Sequence, residues 1–214
     1  MPDVPLAALD LRQQKLVENA RKALEQGNAE YVIAVCEPLL AEAPGCLPVR
    51  GLLRAAQLVR HRAKNPLVAK VGGVLSRAPF FLGGKSTGPE ALRAQADKLL
   101  ASDPTSVTAL KLLAGAAAKL DWPETVVFAR TAVRELAPAD EANLIALGEA
   151  LLNVDRPAEA LAIADGILRR NAVDGPAQNL MRQAAIAQTV NRGNWDGAGD
   201  FREKLKPGPD GTGT

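Results

Sequence analysis

A proline ladder with a 34-residue step constrains this chain more than any other feature. Gly88-Pro89-Glu90, Trp122-Pro123-Glu124 and Arg156-Pro157-Ala158 follow one another at that interval, and so do Pro104 and Pro138. A fixed period of this length marks stacked supersecondary units, each burying its apolar face against its neighbours. The prolines also punctuate helices. Pro89, Pro123 and Pro157 suit a first helical turn, where the missing N–H is not needed. Pro104 and Pro138 follow Ala- and Leu-rich runs, where a helix has ended. Asp121 and Asp155, two residues ahead of Pro123 and Pro157, are expected to cap the second helix of their units. The chain is 47% hydrophobic but only 3% aromatic, which favours closely packed helices over a β core. The expected class is all-α, a stack of antiparallel helix hairpins.

With Glu141 as position 1 of a unit, Leu144, Leu147, Gly148 and Leu151 share one face of a first helix, and Ala160, Ala164 and Ile167 share the facing side of a second. Small residues at positions 8 and 20 allow close approach of the two. One unit earlier the same places hold Leu110, Leu113, Ala114, Ala117, Val126, Val133 and Pro138, with Ala129 taking the inward place beside Arg130. A unit from Gln13 gives Leu16, Ala20, Ala23, Gly27, Val32, Cys36, Leu39 and Pro44. This pattern resembles the tetratricopeptide repeat (TPR) family. The resemblance implies a right-handed α-solenoid over residues 13–206, in units 13–46, 47–106, 107–140, 141–174 and 175–206. A terminal segment, 1–12, precedes it, and the polar tail 207–214 is expected to be disordered.

The ladder breaks once. Pro44 and Pro104 are 60 residues apart, so the second unit carries about 26 extra residues by the repeat count, placed at 63–87 between helices expected at 47–62 and 89–102. No Asp or Glu occurs between Ala43 and Pro89, while Arg50, Arg54, Arg60, Arg62, Lys64, Lys70, Arg77 and Lys85 give +8 in a chain of net charge +2. Such a block favours an acidic partner, an anionic surface or a polyanion. Asn65-Pro66 can open an amphipathic helix through Ala78, with Lys70 and Arg77 off its apolar face, followed by Phe80-Phe81-Leu82. Three readings stand open: the segment folds back on the solenoid, it forms a lid at a partner site, or it docks on an anionic membrane.

Chemistry is poorly provided for. Gly84-Lys85-Ser86-Thr87 resembles the end of a phosphate loop, yet Pro79 stands where its first glycine belongs and no strand precedes it. His61, between Arg60 and Arg62, lacks a carboxylate to orient it and is expected at a solvated helix end. Two cysteines and one histidine make no zinc pattern. Cys36 occupies an inward helix position, and Cys46, in the next loop, is expected to be more exposed; both are expected to be free thiols. No catalytic, cofactor or metal site is expected. Nucleic acid is disfavoured, since no aromatic platform accompanies the basic block.

TPR-like solenoids bind peptides or proteins in the groove of their first helices, and the resemblance places groove positions at Gln14, Val17, Arg21, Leu24 and Glu25, at Thr108, Lys111, Gly115, Ala118 and Lys119, and at Ala142, Ile145, Glu149, Leu152 and Asn153. Arg21, Lys111, Lys119, Ile145, Glu149 and Asn153 are the candidate partner contacts, with Lys70, Arg77, Phe80, Phe81 and Lys85 as candidate contacts of the insertion. The expected function is a non-enzymatic scaffold for a protein or peptide partner, acidic where the basic block takes part, with self-association through an uncapped end a further expectation. An anionic membrane surface or polyanion is the alternative ligand. The terminus Met1-Pro2-Asp3-Val4-Pro5 has no basic run leading into an apolar one, so a soluble protein of a bacterial-type cytoplasm is expected.

Overall fold

Proline sets the helix ends where the ladder predicts. In a computed structural model describing residues 3–64 and 88–193, helices run at α1 (Leu11–Glu25), α2 (Ala29–Glu42), α3 (Leu47–Lys64), α4 (Pro89–Ser102), α5 (Val107–Lys119), α6 (Pro123–Leu136), α7 (Glu141–Asn153), α8 (Pro157–Leu168) and α9 (Gly175–Gly193), after a 3-10 turn at Leu6–Ala8. Pro89, Pro123 and Pro157 each open their helix. Pro44, Pro104 and Pro138 each follow directly on a C-cap residue. Among the described residues the class is all-α, as expected. The helix expected from Asn65, together with Lys70, Arg77, Phe80, Phe81, Lys85 and the tail, lies outside the described residues.

The turns within helix pairs share one device, and it differs from the capping expected of Asp121 and Asp155. Gly27, Asp121 and Asp155 all have positive φ, at 78°, 58° and 58°. They are the left-handed residues that end α1, α5 and α7, a conformation glycine adopts freely and aspartate tolerates. In each turn the following N–H reaches back five residues: Asn28 to Ala23, Trp122 to Ala117 and Arg156 to Leu151, at 2.9, 3.0 and 2.9 Å. This is the Schellman closure, which satisfies carbonyls the helix end leaves open. The N-cap places of α6 and α8 fall to Trp122 and Arg156, and neither side chain caps its helix.

The inward faces are those the period marks. Leu110, Leu113, Ala117, Ala129, Val133, Leu147, Leu151, Ala160, Ala164 and Ile167 are all buried. Gly148 is small for a neighbour one unit on, not for its own hairpin partner: a Cβ there would lie 2.3 Å from Leu180 Cδ2 of α9. Cys46 corrects the sequence reading, being as fully buried as Cys36. Burial, with Cys46 nearby, pushes the Cys36 thiol up to about 11. At pH 8 only about one Cys36 in a thousand is then thiolate. Iodoacetamide should leave both cysteines of the native protein unmodified for hours and alkylate them within minutes in urea. Mass spectrometry reads this, and rapid native labelling of either residue would contradict it.

Among the described residues the buried apolar side chains form three clusters. Residues 9–56 make up one, α4–α6 the second and α6–α9 the third; the first contains nothing from beyond α3. Polar contacts join the first to the others. Arg50 pairs with Asp97, which also accepts from Arg93 at 2.6 Å. Arg54 donates to the Pro104 carbonyl at 2.6 Å and Arg60 to that of Ala101 at 3.3 Å. Along α3 the contacts do not step in order along α4: Arg54 reaches Pro104, whereas Arg60 reaches back to Ala101. Arg50 meets Asp97 and His61 approaches Asp103; Gly45 lies against Trp122, and Arg54 lies near Glu135. Among the described residues α3 packs on α1 and α2 and meets α4 through these polar side chains, not along its length. The antiparallel pairing of 47–62 with 89–102 expected for one hairpin is not what these contacts describe.

Candidate partner-binding groove

Three of the first helices, α5, α7 and α9, carry a line of side chains that the packing leaves outside. Thr108, Gly115, Ala118 and Lys119 are exposed on α5, and Ala142, Glu149 and Asn153 on α7, where Ile145 and Leu152 are half-buried. A Cβ added at Gly115 would meet nothing within 4 Å. One step of 34 residues on, Asn179, Gln183 and Ile186 continue the line on α9, and Ile186 is 66% exposed. The same period that sets the groove positions of α5 and α7 extends to α9, where none of the expected contacts lies. The rungs Ala118, Leu152 and Ile186 give the surface an apolar stripe, flanked by Lys119, Glu149, Asn153, Asn179 and Gln183.

At one end of this surface is a cavity of about 380 Å³, lined by Ala118, Asp121, Trp122, Pro123, Val126, Ala150 and Asn153. Asn153 and Ala118 come together here from different helices. Trp122 is buried at this end against Gly45.

Three expected groove positions, Lys111, Val17 and Gln14, are placed otherwise. Lys111 is tied to Asp140, its Nζ 2.5 Å from Oδ2. Asp140 is the N-cap of α7 and accepts the Asn143 N–H at 3.0 Å. The hydrogen bond from Lys111 holds the Asp140 carboxyl below its usual range, against the opposing effect of burial, with the Asn143 N–H and the charges of Lys111 and Arg130 adding to the lowering. Lys111 therefore joins α5 to the start of α7. On α1 the expected line is not open: Val17 is fully buried, and Gln14 donates through Nε2 to the Leu9 carbonyl at 2.7 Å. The segment ahead of α1 covers that face, while Arg21 stays exposed. Ile145, Glu149, Asn153 and Lys119 keep the places expected of them on α7 and α5.

The basic block is also partly used within the chain. Arg50 is 4% exposed, and Arg54 and Arg60 bond to carbonyls. His61 is not at a solvated end: its side chain is 19% exposed, with Asp103 at 4.0 Å. That distance is beyond a hydrogen bond, and Asp103 accepts from the Thr105 N–H and hydroxyl. No helix among the described residues is long and apolar enough to cross a membrane.

No family model matches the chain, and no curated protein does. Among solved structures it is similar to a tetratricopeptide repeat protein from Parabacteroides merdae ATCC 43184, at 16% sequence identity and a TM-score of 0.43, over 86% of this chain and 61% of the other. The chain thus spans less than two thirds of that neighbour's length.

Proposed function

We propose that the chain is a non-enzymatic, TPR-like scaffold that holds a peptide or protein segment against α5, α7 and α9. The line of open positions recurring at 34 residues across these helices carries the reading. Its apolar stripe and polar flanks suit an amphipathic helix or an extended peptide with apolar anchors. Residues 63–87, with Lys70, Arg77, Phe80, Phe81 and Lys85, are the proposed extension or gate of this site, and their charge favours an acidic partner. The two buried free thiols support a reducing, cytoplasmic setting.

Leu152→Ser and Ile186→Asp make the stripe polar, the first at a half-buried position beside the α6–α9 cluster and the second at an exposed one. Each should lower partner recovery in affinity capture from native lysate by tenfold or more, with circular dichroism unchanged. Lys111 is unsuitable as a probe, because its loss would also loosen the start of α7. Capture unaffected by both variants rejects the groove. The alternative ligand, an anionic membrane surface, would have to use basic residues other than Arg50, Arg54 and Arg60. Sedimentation with phosphatidylserine vesicles, unchanged by Phe80→Ser and Phe81→Ser, would reject that alternative.

A further inference from the structure

Helix α6 opens on residues that cannot cap it. Trp122 has no acceptor oxygen in its side chain, and Pro123 has no N–H. The next two N–H groups are satisfied from 121 and 122 residues away. Glu124 and Thr125 donate their backbone N–H groups to the Asp3 carboxylate at 2.7 and 3.2 Å, and the Thr125 hydroxyl donates to it at 2.5 Å. Thr125 is fully buried, so its hydroxyl is matched to this one carboxylate. Val4 extends the contact, its N–H donating to the Gly45 carbonyl at 2.8 Å. Gly45 is packed so closely that an added Cβ would lie 3.2 Å from the Trp122 indole and 3.3 Å from Val4. The geometry accepts an acidic side chain followed by a β-branched residue in extended backbone.

Helix α8 provides an internal comparison. Arg156 and Pro157 repeat the α6 start one unit on, the Arg156 side chain does not cap that helix, and it forms nonetheless. Among the described residues no carboxylate from a distant part of the chain caps the α8 start, and the helix forms there. The contact instead joins two parts of the chain whose apolar clusters are separate.

We propose that Asp3 and Val4 are a releasable latch, and that the first turn of α6 is a docking site for an acidic extended segment which the chain's own terminus occupies in cis. A partner segment with the same chemistry, aspartate followed by a β-branched residue, competes for it. The site lies beside the groove and shares Trp122 with the cavity there, but its test does not depend on partner binding in the groove.

Full-length Asp3→Ala, followed by amide hydrogen exchange at Glu124 and Thr125, tests the latch. Both amides should exchange at least about tenfold faster than in the wild type. Tethered groups meet at an effective concentration on the order of millimolar, so the acetylated peptide Met-Pro-Asp-Val-Pro-Leu at several millimolar should restore protection. The added Thr125→Val change should abolish that restoration. Asp3→Asn, which keeps the shape and weakens the acceptor, gives the same reading at smaller amplitude if the alanine variant is poorly soluble. Wild-type protection in the Asp3 variants overturns the latch, and exchange unmoved by the peptide overturns the docking site.

Discussion

Asp97→Ala should destabilise the protein by about 3 kcal/mol, and the loss should fall on the junction between α1–α3 and the remaining helices. The guanidinium of Arg50 is 4% exposed, and Asp97 is its carboxylate partner. Removing one member of a buried pair leaves a charge with neither water nor counter-charge, which costs about 3–5 kcal/mol. The lower figure applies because Asp97 is itself 23% exposed. The remaining contact of that guanidinium, with the Pro44 carbonyl at 3.0 Å, cannot replace a carboxylate. Because the apolar clusters on the two sides are separate, urea unfolding should change from one transition to two. The double variant Arg50→Met with Asp97→Leu should recover most of the loss, since a buried pair replaced by apolar residues is often neutral. A single transition at the wild-type midpoint in Asp97→Ala would remove the pair from the junction.

The second large effect is expected at Gly148. An added Cβ would sit 2.3 Å from Leu180 Cδ2, 3.0 Å from Cδ1 and 3.1 Å from Cγ. Leu180 is 2% exposed, so its side chain has no solvent-side space to retreat into. Gly148→Ala gains about 1 kcal/mol in helix propensity and meets an overpacking cost of about 1–3 kcal/mol, which leaves a small net loss. Gly148→Leu adds three further carbons at the same place and should cost more than about 3 kcal/mol, displacing α9 from α7. The contact is tested by a double-mutant cycle. Leu180→Ala alone opens a cavity at about 2–5 kcal/mol, and combined with Gly148→Ala it should be less damaging than the sum by at least about 1 kcal/mol. Additive losses would show that the two positions do not touch.

How far the sequence could be read follows from the range of the forces involved. A proline acts on its own turn and the one before it, so Pro89, Pro123 and Pro157 could be placed at helix starts without knowledge of their neighbours. The inward faces of α5–α8 were legible for the same reason: a helical period repeated every 34 residues makes each unit a copy of the next. Asp121 shows the limit of such reading. An aspartate ahead of a helix can cap it or can end the preceding helix in the left-handed region, and the backbone reaching back to Ala117 selects the second. Asp140, ahead of α7 and followed three residues later by Asn143, carried a readable capping signal that the period-based reading passed over.

Periodicity and proline by themselves determined that this chain is a helical array, where its helices begin and end, and which faces turn inward, because those properties arise from interactions within one or two turns. Only the tertiary structure decided that α3 meets α4 through polar side chains and not as a hairpin partner, that Lys111 serves α7 instead of standing free, that Arg50 is buried on Asp97, and that Asp3 completes the start of α6. Each of these joins residues in different helices or segments through charge or hydrogen bonding, and such pairings follow no period. Their partners exist only once the chain has brought them together.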